Sequence, residues 1–173
     1  MNILILGNGG REHTFCWKLS QSAQEPNLFI APGNAGTAQL GTNIKINPTD
    51  LEAVANAVSS YAIDLILVGP EAPLVAGIHD HIANHPKLSH VPVIGPKKEA
   101  AQLEGSKAYA KAFMERHNIP TAPYKQFDMQ SLNDGLAYLE TIPAPYVLKA
   151  CLLYTSDAAD DSLRVDLGGR RII

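Results

Sequence analysis

Cysteine is scarce in this sequence: two residues, Cys16 and Cys151, are too few for a disulfide framework and suit a reduced compartment. Surplus positive charge is missing as well. Lys and Arg number 14 against 17 Asp and Glu, a formal charge of -3 with a pI near 6.0. Phosphate-backbone affinity needs clustered excess cations, so a general nucleic-acid binder is excluded. No apolar run approaches the roughly 20 residues that span a bilayer. The opening apolar run, residues 2–6, is too short for a signal peptide and lacks its basic flank. A cytoplasmic chain with neither membrane nor nucleic acid as partner is expected. What is present is a 46% hydrophobic, 18% charged composition, enough to bury a real core in about one domain of the 173 residues.

The first part alternates strands and helices. Residues 2–6 (Asn-Ile-Leu-Ile-Leu) form an almost wholly apolar run ended by Gly7, the pattern of a strand buried on both faces of a parallel sheet. A helix follows over 11–22 with Phe15 and Leu19 one turn apart, then a strand over 27–31 stopped by Pro32 and Gly33. A short strand at 44–46 precedes Thr49-Asp50-Leu51-Glu52, a capping-box pattern with Thr49 as the cap. The helix it opens carries Leu51, Val54, Ala55 and Val58 on one face. A strand at 64–68, a helix over about 74–83 and a strand at 91–94 complete the alternation. Parallel crossovers of this kind imply an open, doubly wound α/β sheet.

From Pro96 the character changes. Short helices are expected at 100–103 and 107–117, with Gly105-Ser106 as break and N-cap, then a strand near 124–127. A helix with Leu132, Leu136 and Leu139 on one face and a strand at 146–149 follow. The domain boundary is expected close to residues 95–105, and the second unit is too slight to close a core of its own.

In open α/β sheets ligands lie beyond the carboxyl ends of the strands, which makes three loops one candidate site. Gly7-Asn8-Gly9-Gly10-Arg11-Glu12-His13 places glycine amides and a helix N-terminus where an anion can approach. Glu12 stands where a dinucleotide fingerprint has its third glycine, and Ala31-Pro32-Gly33 replaces the acidic ribose partner, which argues against NAD or FAD. The Arg11 fork suits a monophosphate. Pro32-Gly33-Asn34-Ala35-Gly36-Thr37 and Gly69-Pro70-Glu71-Ala72-Pro73-Leu74 end the next strands, and Glu71 is a carboxylate suited to a ribose hydroxyl or an amine. The alternative for each loop alone is plain turn chemistry. His79, His81 and His85 suggest a metal cluster, but His79 and His81 point about 200 degrees apart on a helix, so a solvated helix surface is expected. Cys16 is expected to pack as a small apolar group beside Trp17.

Four motifs, Gly-Asn-Gly-Gly-Arg-Glu-His at 7–13, Ala-Pro-Gly-Asn-Ala-Gly-Thr at 31–37, Val-Gly-Pro-Glu-Ala-Pro-Leu at 68–74 and Gln-Leu-Glu-Gly-Ser-Lys at 102–107, together resemble the phosphoribosylamine–glycine ligase family of the ATP-grasp superfamily. The resemblance runs to about Ala150, roughly the first third of the family's usual length. It implies a Rossmann-like, pre-ATP-grasp substrate-binding domain over 1–100 and the truncated start of an ATP-grasp domain over 101–150. It further implies ATP-driven joining of glycine to 5-phosphoribosylamine through a glycyl phosphate, in purine biosynthesis. Gly9, Gly10, Arg11, Gly33, Asn34 and Glu71 would line the phosphoribosylamine pocket, and Lys107 and Lys149 would reach ATP phosphates. Mg2+ or Mn2+ would be held beyond residue 150, leaving no catalytic or metal-binding residue before that point, and the full-length enzyme would be a monomer. The rival expectations are another ATP-grasp ligase, such as a biotin carboxylase, and a non-catalytic nucleotide-binding module.

After Ala150 the family would continue with an acidic, glycine-rich loop, whereas this chain reads Cys-Leu-Leu-Tyr-Thr-Ser-Asp-Ala-Ala-Asp-Asp. That string, and Val165 onward, is what the transposon end and adapter of sequencing libraries would encode. Residues 151–173 are therefore expected to be translated adapter, and the chain as it stands is not expected to catalyse ligation.

Overall fold

The computed structural model describes residues 1–143. The first strand, β1 (Asn2–Gly7), is buried along nearly its whole length because it lies at the centre of the sheet. Parallel partners flank it on both sides: β2 (Asn27–Pro32), with Ile5 opposite Ile30, and β4 (Leu65–Val68), with Ile5 opposite Leu67. The edges are β3 (Thr42–Asn43) beside β2 and β5 (Val93–Ile94) beside β4, giving the order β3-β2-β1-β4-β5.

Strand side chains alternate between faces, and here both faces are apolar. Ile3, Ile5, Leu28 and Ile30 pack with Cys16, Phe15 and Leu19 of α1 (Gly10–Leu19). Leu4, Leu6, Ile66 and Val68 pack on the opposite face. Their partners there are Val54 and Val58 of α2 (Leu51–Ser60), Leu74 of α3 (Glu71–Ala76) and Ile78 and Ile82 of α4 (Ile78–Asn84). Each such burial contributes about 1.5–3 kcal/mol, so the doubly wound α/β arrangement expected from the alternation is the one that satisfies both faces of β1.

Several local expectations are corrected. The cap of α2 is Asp50, whose Oδ1 accepts the Ala53 N–H at 3.0 Å, while Thr49 turns back to Asn47. Asp is as good a cap as Thr, and the sequence held both in adjacent places. The strand at 44–46 lies earlier, as β3, and Ile44 continues the ladder by only one bond, to the Ile30 carbonyl. The helix over 74–83 starts at Glu71 and is divided at Gly77, which adopts φ 103, closes α3 through the Pro73 and Leu74 carbonyls and opens α4. Trp17 is 54% exposed, so Cys16 packs under the sheet rather than beside it.

Burial pushes the Cys16 thiol up to about 11 from its ordinary 9.0, and the Glu12 carboxylate adds to the rise. The folded chain thus holds this proton to higher pH than the unfolded one. The group leaves stability unchanged below about pH 9 and lowers it as pH rises toward 11. Iodoacetamide near pH 8 is expected to leave Cys16 unlabelled in the native chain and to label it in guanidinium, read by peptide mass mapping; native labelling at the denatured rate would contradict this burial.

The chain divides after Gly105, where α5 (Lys98–Gly105) ends. Beyond it, Ser106 caps α6 (Lys107–Arg116) by accepting the Tyr109 N–H at 3.2 Å, and α7 (Leu132–Thr141) exposes Leu132 and Leu136. Residues 124–127 form no strand, since among the described residues past Gly105 there is no strand to pair with them. The expected strand at 146–149 and the segment 151–173 lie outside the described residues.

Candidate functional site

The strand order reverses between β1 and β4, and the loops leaving the carboxyl ends of β1, β2 and β4 meet at that switch point. Backbone bonds tie them together: the Gly33 N–H donates to the Gly7 carbonyl and the Gly69 N–H to the Leu6 carbonyl, each at 3.1 Å. Asn34 links the second loop to the first, donating from Nδ2 to the Asn8 carbonyl at 2.9 Å while its Oδ1 accepts from Gly36 and Thr37. Beneath it, Thr37 is fully buried and donates to Asn43 Oδ1, and Asn43 Nδ2 donates to the Asn34 carbonyl, both at 2.8 Å. Gly33 sits at φ +73, and a Cβ there would lie 2.2 Å from Asn43 Oδ1.

Arg11 links the first loop to the third. Its Nη1 donates to the Gly69 carbonyl, which commits one of the five N–H groups of the fork and holds an exposed guanidinium over the switch point. At the start of α1 the His13 N–H already reaches the Gly9 carbonyl. The Gly10, Arg11 and Glu12 N–H groups precede the first intrahelical bond and are the donors a helix start leaves without an intrahelical acceptor, and they carry the positive end of the helix dipole. No atom lies within 4 Å of where a Gly10 Cβ would sit. Glu71 begins α3, two residues beyond Gly69, and is half-buried.

One residue escaped the sequence reading. Glu12 is 5% exposed, and its Oε2 accepts the Gly9 N–H at 2.6 Å. The side chain fills the space left by three glycines: a Cβ on Gly7 would lie 2.7 Å from Glu12 Cδ, on Gly9 3.0 Å from Oε2 and on Gly69 1.9 Å from Oε1. The signal was present, because a glutamate three residues after a helix N-cap is half of a capping box.

Gly9, Gly10, Arg11, Gly33, Asn34 and Glu71 thus share one sheet edge. The Gly9 amide, however, is turned to Glu12. Lys107 stands in the second unit as the first residue of α6, and Lys149 lies outside the described residues. The histidines are corrected too. His79 Nδ1 lies 2.6 Å from the Gly95 carbonyl, His81 Nε2 lies 3.6 Å from Glu52 Oε1 and His85 Nδ1 accepts the Lys87 N–H at 3.2 Å, so all three are half-buried contacts rather than a solvated surface. A cavity of about 160 Å³ opens on the outer face of α1 beside His13, Thr14 and Trp17. It falls below the roughly 300 Å³ of ordinary ligand pockets.

The sequence profile of the phosphoribosylglycinamide synthetase N domain matches residues 1–104. The chain belongs to this family. It is 48% identical over 152 residues to the phosphoribosylamine–glycine ligase of Pasteurella multocida, covering 87% of this chain and 34% of that protein. To the Haemophilus influenzae ligase it is 43% identical over 180 residues, covering 98% of this chain and 41% of the relative. The crystal structure of the Thermotoga maritima ligase superposes with a TM-score of 0.63 at 30% identity, over 93% of this chain and 34% of that one. The biotin carboxylase domain of a single-chain bacterial carboxylase shares the fold at a TM-score of 0.58 and 15% identity. The chain spans about a third of the length of the first relatives it matches.

Proposed function

We propose that this chain forms the phosphoribosylamine-binding part of an ATP-dependent ligase that joins glycine to 5-phosphoribosylamine, giving glycinamide ribonucleotide, ADP and phosphate. The observation that carries the reading is the meeting of the α1 N-terminus, the Arg11 fork and three strand-end loops at the switch point, on a family whose relatives bear that activity in their names. The Gly10 and Arg11 amides and the guanidinium take the phosphate, a site for one compact anion. Asn34 and Gly33 shape the wall toward β2, and Glu71 offers an acceptor for a sugar hydroxyl. Gly9 sets the loop's form, its N–H satisfied internally by Glu12.

The reaction itself is positioning and charge neutralisation: the amine must meet an activated glycine carboxyl, with ATP as phosphoryl donor through a glycyl phosphate. Lys107 and Lys149 are the residues we assign to the ATP phosphates. Magnesium would neutralise those phosphates when bound. Among the described residues no group of three His, Cys, Asp or Glu could hold a metal. Among those residues, too, no helix is long and apolar enough to cross a membrane. Joining residues 1–150 of this chain to the remainder of the Pasteurella multocida relative is expected to give ADP release that needs both glycine and phosphoribosylamine. No release from a folded chimaera would overturn the reading.

A further inference from the structure

Glu12 is a carboxylate only 5% exposed, with one oxygen engaged by the protein and the other open to an incoming donor. Oε2 takes the Gly9 N–H, but among the described residues no donor reaches Oε1. The groups around that oxygen explain why. Gly7, Gly9 and Gly69 bring no side chain, the Gly69 N–H is committed to the Leu6 carbonyl, and the Arg11 guanidinium passes to the Gly69 carbonyl. That oxygen is not sealed from water, since His81 Nε2 is the one buried side-chain polar atom left without a partner among the described residues, so Oε1 is an acceptor that an arriving donor can reach. The oxygen lies against Gly69, between the β1 and β4 loops, where ligands of open α/β sheets sit.

We infer that Glu12 Oε1 reads the amine of the ligand: it accepts an N–H from a sugar phosphate whose phosphate is held by Arg11 and the α1 N-terminus. The inference rests on the phosphate assignment above and adds the group that separates an amine from a hydroxyl. A second anionic group at this position is disfavoured by the same charge. An amine brings donors without that repulsion, and a hydrogen bond to a charged acceptor is stronger than one to a neutral acceptor.

The test uses the full 173-residue chain and two stable probes measured by calorimetry. One is ribose 5-phosphate; the other is a cyclopentylamine phosphate in which a ring carbon replaces the labile ring oxygen of phosphoribosylamine. The unaltered chain is expected to bind the amine about tenfold more tightly than the hydroxyl probe. Glu12→Gln keeps an acceptor for the Gly9 N–H but removes the charge, and should bring the two affinities within about twofold of each other. A preserved ratio in Glu12→Gln, or equal binding of both probes by the unaltered chain, overturns this inference and leaves the phosphate assignment standing. Binding of neither probe overturns both. Should Glu12→Gln fail to fold by circular dichroism, the 13C carboxyl resonance of Glu12 in the unaltered chain decides. It is expected to move with the amine probe and not with ribose 5-phosphate, and an unmoved resonance overturns the inference.

Discussion

Replacing Gly69 with alanine is expected to cost on the order of 3 kcal/mol of stability, the sum of overpacking at about 1–3 kcal/mol and of a buried donor left unsatisfied at about 1–3 kcal/mol. The added Cβ would lie 1.9 Å from Glu12 Oε1 and 2.6 Å from its Cδ, far inside contact distance. Glu12 cannot simply swing away, because it is 5% exposed and bonded to the Gly9 N–H. Moving it strips that amide of its acceptor and leaves a charge without its hydrogen bond. At about 2–4 °C per kcal/mol for a chain of this size, the midpoint of thermal unfolding should fall by about 10 °C. Gly10→Ala is the comparison: it meets no atom within 4 Å and lies in the first turn of α1, so it should not lower the midpoint. Equal midpoints for the two variants would refute the packing role given to Glu12.

Arg11→Ala should leave the fold standing and weaken ribose 5-phosphate binding to the chain by about ten- to hundredfold, the range of roughly 1.5–3 kcal/mol for hydrogen bonds to a charged group. The side chain is exposed and contributes one hydrogen bond, to the Gly69 carbonyl, so little packing is lost. What goes is a fork suited to two phosphate oxygens at once. Arg11→Lys keeps the charge without that geometry and should recover only part of the affinity. In a complete ligase carrying the same change, the apparent affinity for phosphoribosylamine should suffer and that for ATP should not. An unaltered affinity for ribose 5-phosphate would remove Arg11 from the site.

The contrast between these two residues shows how much of the site could be read along the chain. Arg11 was legible because its neighbours are: glycines after an apolar strand, then a helix start, make an anion site by local geometry alone. Glu12, the very next residue, was not. Its meaning comes from Gly69, which is far away in sequence and becomes its neighbour only when β4 pairs with β1. The same division runs through the fold. The buried run of β1 and the helical spacing of α2 were plain, because periodicity is a local property. The split of the following helix at Gly77 was less so, since a glycine inside a helical pattern can be tolerated or can turn left-handed, and packing of Leu74 and Ile78 on the sheet chooses the second.

By itself the sequence determined the alternation of strands and helices, the burial of β1 on both faces, the three loops at the strand ends and the family to which their motifs belong. These follow from composition, period and short-range spacing, which are complete in one dimension. Only the tertiary structure decided that the Gly9 amide serves Glu12 rather than a ligand, that Arg11 bridges to Gly69, and that one oxygen of a buried carboxylate is left open at the switch point. Those facts depend on which distant backbones approach closely enough to exclude a side chain, and that is settled by strand pairing and close packing rather than by any stretch of sequence.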